Sequence, residues 1–171
     1  MAAANGFVYV IGGSTAGTEN GTSSIFYAPV NSDGSLGAWT FLNSMGLNRK
    51  DHTAAAYGGY MYVIGGDDNA NAVTSTLYTA ISATGSLGSW ALTPAAGLSQ
   101  RTNGHSSNFY NGFAYTVGGY ASIGCCSQPT SSVFYAQINN GRSQRDTFWG
   151  FTVPVGTATG TYSGVNTFTA V

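Results

Sequence analysis

An all-β fold built from repeated four-stranded antiparallel sheets is predicted by three observations in this 171-residue sequence. The pentapeptide Tyr62-Val63-Ile64-Gly65-Gly66 recurs almost unchanged as Tyr9 to Gly13 and Tyr115 to Gly119, at a fixed interval of 53 residues. Short apolar and aromatic runs bounded by glycine and asparagine turns fill each interval, as strands do. No apolar periodicity of 3.6 residues occurs, which removes the helical repeat architectures.

The elements of one unit follow in order. Gly6, Gly59 and Gly112 also step by 53 and sit in the turns Asn5-Gly6, Gly58-Gly59 and Asn111-Gly112. Asn-Gly is the strongest short hairpin signal. His52 to Tyr57 and His105 to Tyr110 read as the first strands of their hairpins, whereas only Met1 to Ala4 precede the first turn, so the innermost strand of unit one is expected to be missing. The second strand, Phe7-Val8-Tyr9-Val10-Ile11 in the first copy, is apolar at successive positions and must be covered on both faces. It ends in Gly12-Gly13, Gly65-Gly66 and Gly118-Gly119, which give freedom for a sharp turn and room for a close neighbour.

Third strands read over 24–28, 76–80 and 132–136. The turns Gly34-Ser35-Leu36-Gly37 and Gly85-Ser86-Leu87-Gly88 then lead to Trp39 and Trp90, each 12 residues beyond Tyr27 or Tyr78. Tyr135 holds the tyrosine position in the third unit, which lacks the usual ending and runs through 139–146 into Phe148-Trp149. The tyrosines, the tryptophans and the repeat-equivalent His52 and His105 are expected to be packing residues of the unit. Residues 147–171 read as further strands around a turn at 156–160: the outer strand of the third unit and a closing strand, or the start of a sandwich-like domain.

Four short strands in a unit of about 50 residues, ending in a tryptophan, describe a propeller blade. The apolar strand, the double glycine, the spaced tyrosine and tryptophan, and an Arg or His ahead of the next strand resemble the kelch motif over residues 5 to about 141. The resemblance implies kelch-like β-propeller blades at about 5–46, 47–97 and 98–146, a segment of 1–146 followed by a β-rich tail at 147–171. Propellers close with about four to eight blades, so three imply an incomplete ring. Self-association into a six-bladed ring, or further blades from a longer chain, is expected to cover the open faces. By class, kelch-like propellers are protein-binding platforms, carbohydrate-related surface domains or, in a minority, oxidases.

Composition narrows the partners. Charged residues make up 6% of the chain, against about 25% in typical soluble domains. A net charge of -1 with Lys50 as the single lysine leaves no basic footprint for nucleic acid and no polybasic membrane patch. No apolar run approaches the roughly 18 residues of a membrane-spanning helix. Solubility carried by Ser, Thr, Asn and Gly points to an extracellular or cell-surface setting. With no signal segment in the chain, it reads as a mature piece or a segment of something longer. Cys125 and Cys126 are adjacent, with Cα atoms about 3.8 Å apart, short of the 4.4–6.8 Å that suits a disulfide. Free thiols, a strained vicinal disulfide and intermolecular pairing all remain open.

If strands alternate in direction, residues 14–23, 43–51, 67–73, 95–104 and 120–130 share one loop face. Glu19, Arg49, Lys50, Asp51, Asp67, Asp68 and Arg101 fall there, seven of the eleven formal charges, together with Tyr120. Polar loops on a rigid scaffold are where binding sites concentrate, although loops also collect charges in any protein with an apolar core. Asp67-Asp68-Asn69 offers calcium oxygen ligands but far fewer than the six to eight required, and zinc lacks a ligand set. The chain has no Gly-x-Ser-x-Gly elbow, phosphate-binding loop or His-Glu-x-x-His helix. The tyrosine-cysteine copper site of the galactose-oxidase branch is not matched, because the two histidines are repeat-equivalent. The expected function is a noncatalytic module, without cofactor or metal, that binds a protein or glycan. The alternatives are a structural repeat of a surface assembly with no small ligand, and a galactose-oxidase-like or glycan-active enzyme.

Overall fold

The computed structural model describes residues 1–15, 17, 19–93, 98–123, 126–138 and 149–152. Three four-stranded antiparallel sheets follow one another along the chain. The first contains β1 (Ala2–Ala4), β2 (Phe7–Ile11), β3 (Thr22–Pro29) and β4 (Thr40–Arg49); the second contains β5 (Thr53–Tyr57), β6 (Tyr60–Ile64), β7 (Thr76–Ala80) and β8 (Ala91–Leu92). After the short β9 (Thr102–Asn103), the third contains β10 (Ser106–Tyr110), β11 (Phe113–Val117), β14 (Ser132–Gln137) and β15 (Trp149–Thr152). Between β11 and β14, β12 (Tyr120–Ile123) and β13 (Cys126–Pro129) form a hairpin that pairs with β9. These are propeller blades, and they form an incomplete ring with β1, β5 and β10 side by side.

Each blade starts in a type I′ hairpin, because both central residues of the turn have positive φ: 50° and 80° at Asn5-Gly6, 58° and 84° at Gly58-Gly59, 48° and 83° at Asn111-Gly112. The first of these turns corrects an expectation. Blade one has its innermost strand, since Ala2, Ala3 and Ala4 pair with Tyr9, Val8 and Phe7. Three residues suffice because the tight turn fixes the register. At the other end, β15 pairs Trp149 with Tyr135 and Thr152 with Ser132, in the outer place of the third sheet. The strand expected over 162–171, the turn at 156–160 and Cys125 lie outside the described residues.

The core lies between blades. Tyr9, Ile11, Ile25 and Met45 of blade one pack with Met61, Val63, Leu77 and Leu87 of blade two. Tyr62, Ile64 and Leu98 then pack with Phe134 of blade three. The run of apolar residues in β6 is explained directly: Met61 and Val63 face blade one, Tyr62 and Ile64 face blade three, and all four are buried. The two tryptophans differ for the same reason. Trp90 packs on the first core, whereas Trp39, at the equivalent place of blade one, is exposed.

The first two double glycines, Gly12-Gly13 and Gly65-Gly66, are the joints of the two seams. A Cβ on Gly12 would stand 2.6 Å from the Arg49 carbonyl oxygen, 2.9 Å from Met45 and 3.1 Å from the His52 ring. One repeat later, a Cβ on Gly65 would stand 2.9 Å from the Thr102 carbonyl oxygen, 2.9 Å from Leu98 and 2.8 Å from the His105 ring. The next amide completes the joint, Gly13 donating to the Arg49 carbonyl at 2.8 Å and Gly66 to that of Thr102 at 3.0 Å. His105 Nε2 donates to the Ile64 carbonyl at 3.1 Å, and His52 bonds the Ile11 carbonyl in the same way. The histidines thus hold blade to blade.

Gly118 provides the contrast, since the nearest atom to its would-be Cβ is the Thr130 carbonyl oxygen at 3.7 Å. Gly118→Ala should therefore cost only the strain of a left-handed backbone, about 1 kcal/mol. Gly65→Ala adds the clash with the next blade and should cost roughly 1–3 kcal/mol more. Urea denaturation of the two variants measures the difference, and equal losses would contradict the seam.

Candidate functional site

Of the loops expected to share a face, the 67–73 loop of blade two is held by its own carboxylates. Asp67 Oδ1 accepts the Asn69 amide at 2.8 Å, and Asp68 Oδ1 accepts those of Ala70 at 3.0 Å and Asn71 at 2.9 Å. Such Asx turns let a short loop satisfy its own backbone. Asn69, at φ 82°, then reaches blade one, with Oδ1 accepting the Gly21 amide and Nδ2 donating to the Gly21 carbonyl at 3.1 Å. The carboxylates considered for calcium are therefore engaged by backbone amides. Among the described residues no group of three or more His, Cys, Asp or Glu side chains could hold a metal ion.

Lys50 and Asp67 exchange backbone hydrogen bonds at 3.0 and 2.8 Å, and Lys50 Nζ donates to the Glu19 carbonyl. Asp51, exposed at φ 52°, uses its carbonyl to accept the Gly104 amide at 2.8 Å. Arg101 is exposed. Tyr120, also exposed, opens β12 opposite Asn103 and Pro129. This pairing repeats the Lys50–Asp67 bridge one 53-residue step later, so the segment 120–130, read as a loop, contains a longer version of the same bridge.

Arg49 departs most from the picture of a solvated loop charge. Its side chain is 3% exposed, with Nη2 donating to Ser75 Oγ and Nη1 to the Asn48 carbonyl at 3.1 Å. Burial pulls its pKa below the usual guanidinium value, while Asp68 and Asp67 oppose that shift, so the group stays cationic. In turn, Asp68 is held below the usual carboxylate range by the Asn71 and Ala70 amides and by Arg49. These two residues belong to an open groove of about 460 Å³ lined by Gly46, Leu47, Asn48, Arg49, Asp68, Val73, Ser75 and Leu92. It runs from the end of β4 to the segment just ahead of β7 and to β8, with Leu47 and Leu92 exposed. Of the eight loop-face residues anticipated from sequence, only Arg49 and Asp68 line it. The apolar walls carried no signal, because Leu47, Val73 and Leu92 resemble any strand residue.

The seam histidines stay neutral. Burial is the main reason that His52 is lowered to about 4, with Arg49 adding in the same direction. His105 is lowered by burial too. In both rings Nδ1 is buried without a hydrogen-bond partner, so protonation would place a charge inside the seam.

The Kelch motif family model matches residues 48–79, from the end of β4 through most of β7. The chain therefore carries a kelch motif on its second blade, where the repeated strand and double glycine resemble one. Among solved structures the chain is similar to that of YjhT, with 23% sequence identity, a TM-score of 0.53, and coverage of 70% of this chain and 33% of that one. The likeness is one of fold, and the chain spans about a third of YjhT. No curated protein matches the sequence.

A folded-state value near 4 for His52, against 6.5 in the unfolded chain, means that the neutral ring is favoured by folding. Its stabilising contribution is complete above pH 6.5 and is lost as pH falls towards 4. Stability should drop by about 2 kcal/mol between pH 7 and pH 5 through His52, with His105 adding in the same direction. Urea midpoints at the two pH values check this, and His52→Gln, which keeps an N–H donor but cannot titrate, should flatten the profile.

Proposed function

We propose that this chain is a noncatalytic protein-binding module that holds an extended segment of a partner protein in the groove between blades one and two. The kelch-type blades suggest a protein-interaction module. The observation that carries the specific reading is the groove itself, in which the exposed Leu47 and Leu92 form apolar walls around the polar Asn48, Ser75, Arg49 and Asp68.

Charge selects the partner. Arg49 is buried, with Nη1 and Nη2 donating to Asn48 and Ser75, whereas Asp68 is exposed and ionised, so the accessible charge at the mouth of the groove is acidic. The fitting ligand is a segment with an apolar side chain between the leucines and a Lys or Arg opposite Asp68. Both flanking strands, β4 and β8, are outer strands of their sheets, so an extended segment can also meet free backbone groups there. A glycan fits less well, since the lining offers no aromatic face for a sugar ring. The low charge content supports an extracellular or cell-surface setting.

Selection from a random displayed peptide library tests the reading. Enriched peptides should pair an apolar residue with a basic one. Their affinity should fall tenfold or more for Leu47→Asp and Leu92→Asp, and the basic preference should relax for Asp68→Asn, which retains the oxygen that caps the loop. Peptides that bind all three variants as well as the parent would refute it.

A further inference from the structure

The two ends of the arc present the two halves of the seam that joins blade one to blade two. Val63 and Leu77, on the front of blade two, are 0% and 2% exposed because blade one covers them; Val10 and Phe26, the same positions on blade one, are 39% and 41% exposed. Leu87 is 8% exposed and its counterpart Leu36 is 42% exposed. Trp90 and Trp39 differ in the same sense.

The back of blade three is the complement. Ile11 and Ile64, which face the following blade, are each 3% exposed, and the equivalent Val117 is 49% exposed. Two finer parts of the seam are likewise separated. On blade one, Phe7 packs so closely on the Gly85 turn of blade two that a Cβ there would lie 2.6 Å from its ring, and Tyr9 Oη donates to the Gly85 carbonyl at 2.9 Å. Phe113 and Tyr115 repeat Phe7 and Tyr9 on blade three, while Gly34, the blade-one counterpart of Gly85, has nothing within 4 Å of its would-be Cβ.

From this we infer that the chain self-associates head to tail, the back of blade three in one copy covering the front of blade one in a second. Val117 then lies against Val10 and Phe26, Phe113 on the Gly34 turn, and Tyr115 Oη at the Gly34 carbonyl, repeating the contacts that the seam between blades one and two already makes. The occupant is a second copy because the described residues carry both halves of one interface, on surfaces at opposite ends of the arc. Two arcs of three blades give six, within the range in which propellers close. The contact is heterologous, and a dimer satisfies every half-seam only if the ring closes. The histidine bond remains particular to the internal seams; the junction rests on the turn and the apolar faces.

Sedimentation equilibrium of the whole chain tests the proposal, with tryptophan emission as a second readout because Trp39 becomes covered. The expected result is a dimer whose Trp emission shifts to shorter wavelength on association. Phe26→Asp and Val117→Asp, both at exposed sites and each checked for an unchanged circular dichroism spectrum, should each weaken association at least tenfold. An equimolar mixture of the two should recover a dimer, since it retains one intact junction. A monomer at all concentrations, a mass that grows beyond the dimer, or association indifferent to Val117→Asp would overturn the proposal.

Discussion

The structure depends on burying a strand that is apolar on both faces. A sheet of this kind has no stable exposed form, and each blade is therefore both the cover of its predecessor and the surface awaiting its successor. Burial of side chains such as Met61, Val63 and Leu77 contributes about 1.5–3 kcal/mol apiece, an upper range for a seam of this size. One buried hydrogen bond from a histidine is worth about 1 kcal/mol. Apolar burial therefore supplies the adhesion between blades, and the histidine, the double glycine and the Asn69 bridge set the angle at which they adhere.

The division of labour explains where polar groups lie. Among the described residues most side-chain hydrogen bonds from blade to blade end on backbone carbonyls or amides, as with His105 on Ile64 and Asn69 on Gly21, while Arg49 with Ser75 and Thr53 with Ser107 join side chain to side chain. Backbone partners are present whatever the side chain, which suits joints that must recur with different sequences on either side. Arg49 shows the limit of the arrangement. It occupies the place that Thr102 takes one seam later, contributes the same carbonyl, and adds a buried cation whose position near Asp68 shapes the groove.

The blade plan was legible because its determinants are local and repeated. The turn sequence Asn-Gly, the second strand and the double glycine each specify backbone geometry without reference to distant residues, and their common step of 53 gave the register. Two kinds of information were not. β1 is three alanines, too short and too weakly β-forming to declare itself, and only its pairing with β2 identifies it. The groove depends on which side chains converge across two blades, and charge alone pointed to the loop face while missing Leu47, Val73 and Leu92. In the sequence Asn69 stands as a candidate cation ligand; its use as an amide clamp depends on Gly21, 48 residues away.

The front and back of a blade are different surfaces, so blades stack in one sense only. Because each joint engages just the neighbour one repeat away, gain or loss of a whole 53-residue unit at an end of the array leaves the chemistry of the remaining joints unaltered. The number of blades is then a free variable, adjustable by duplication without redesign of any interface, and what selection must solve afresh is only how the two terminal faces are covered.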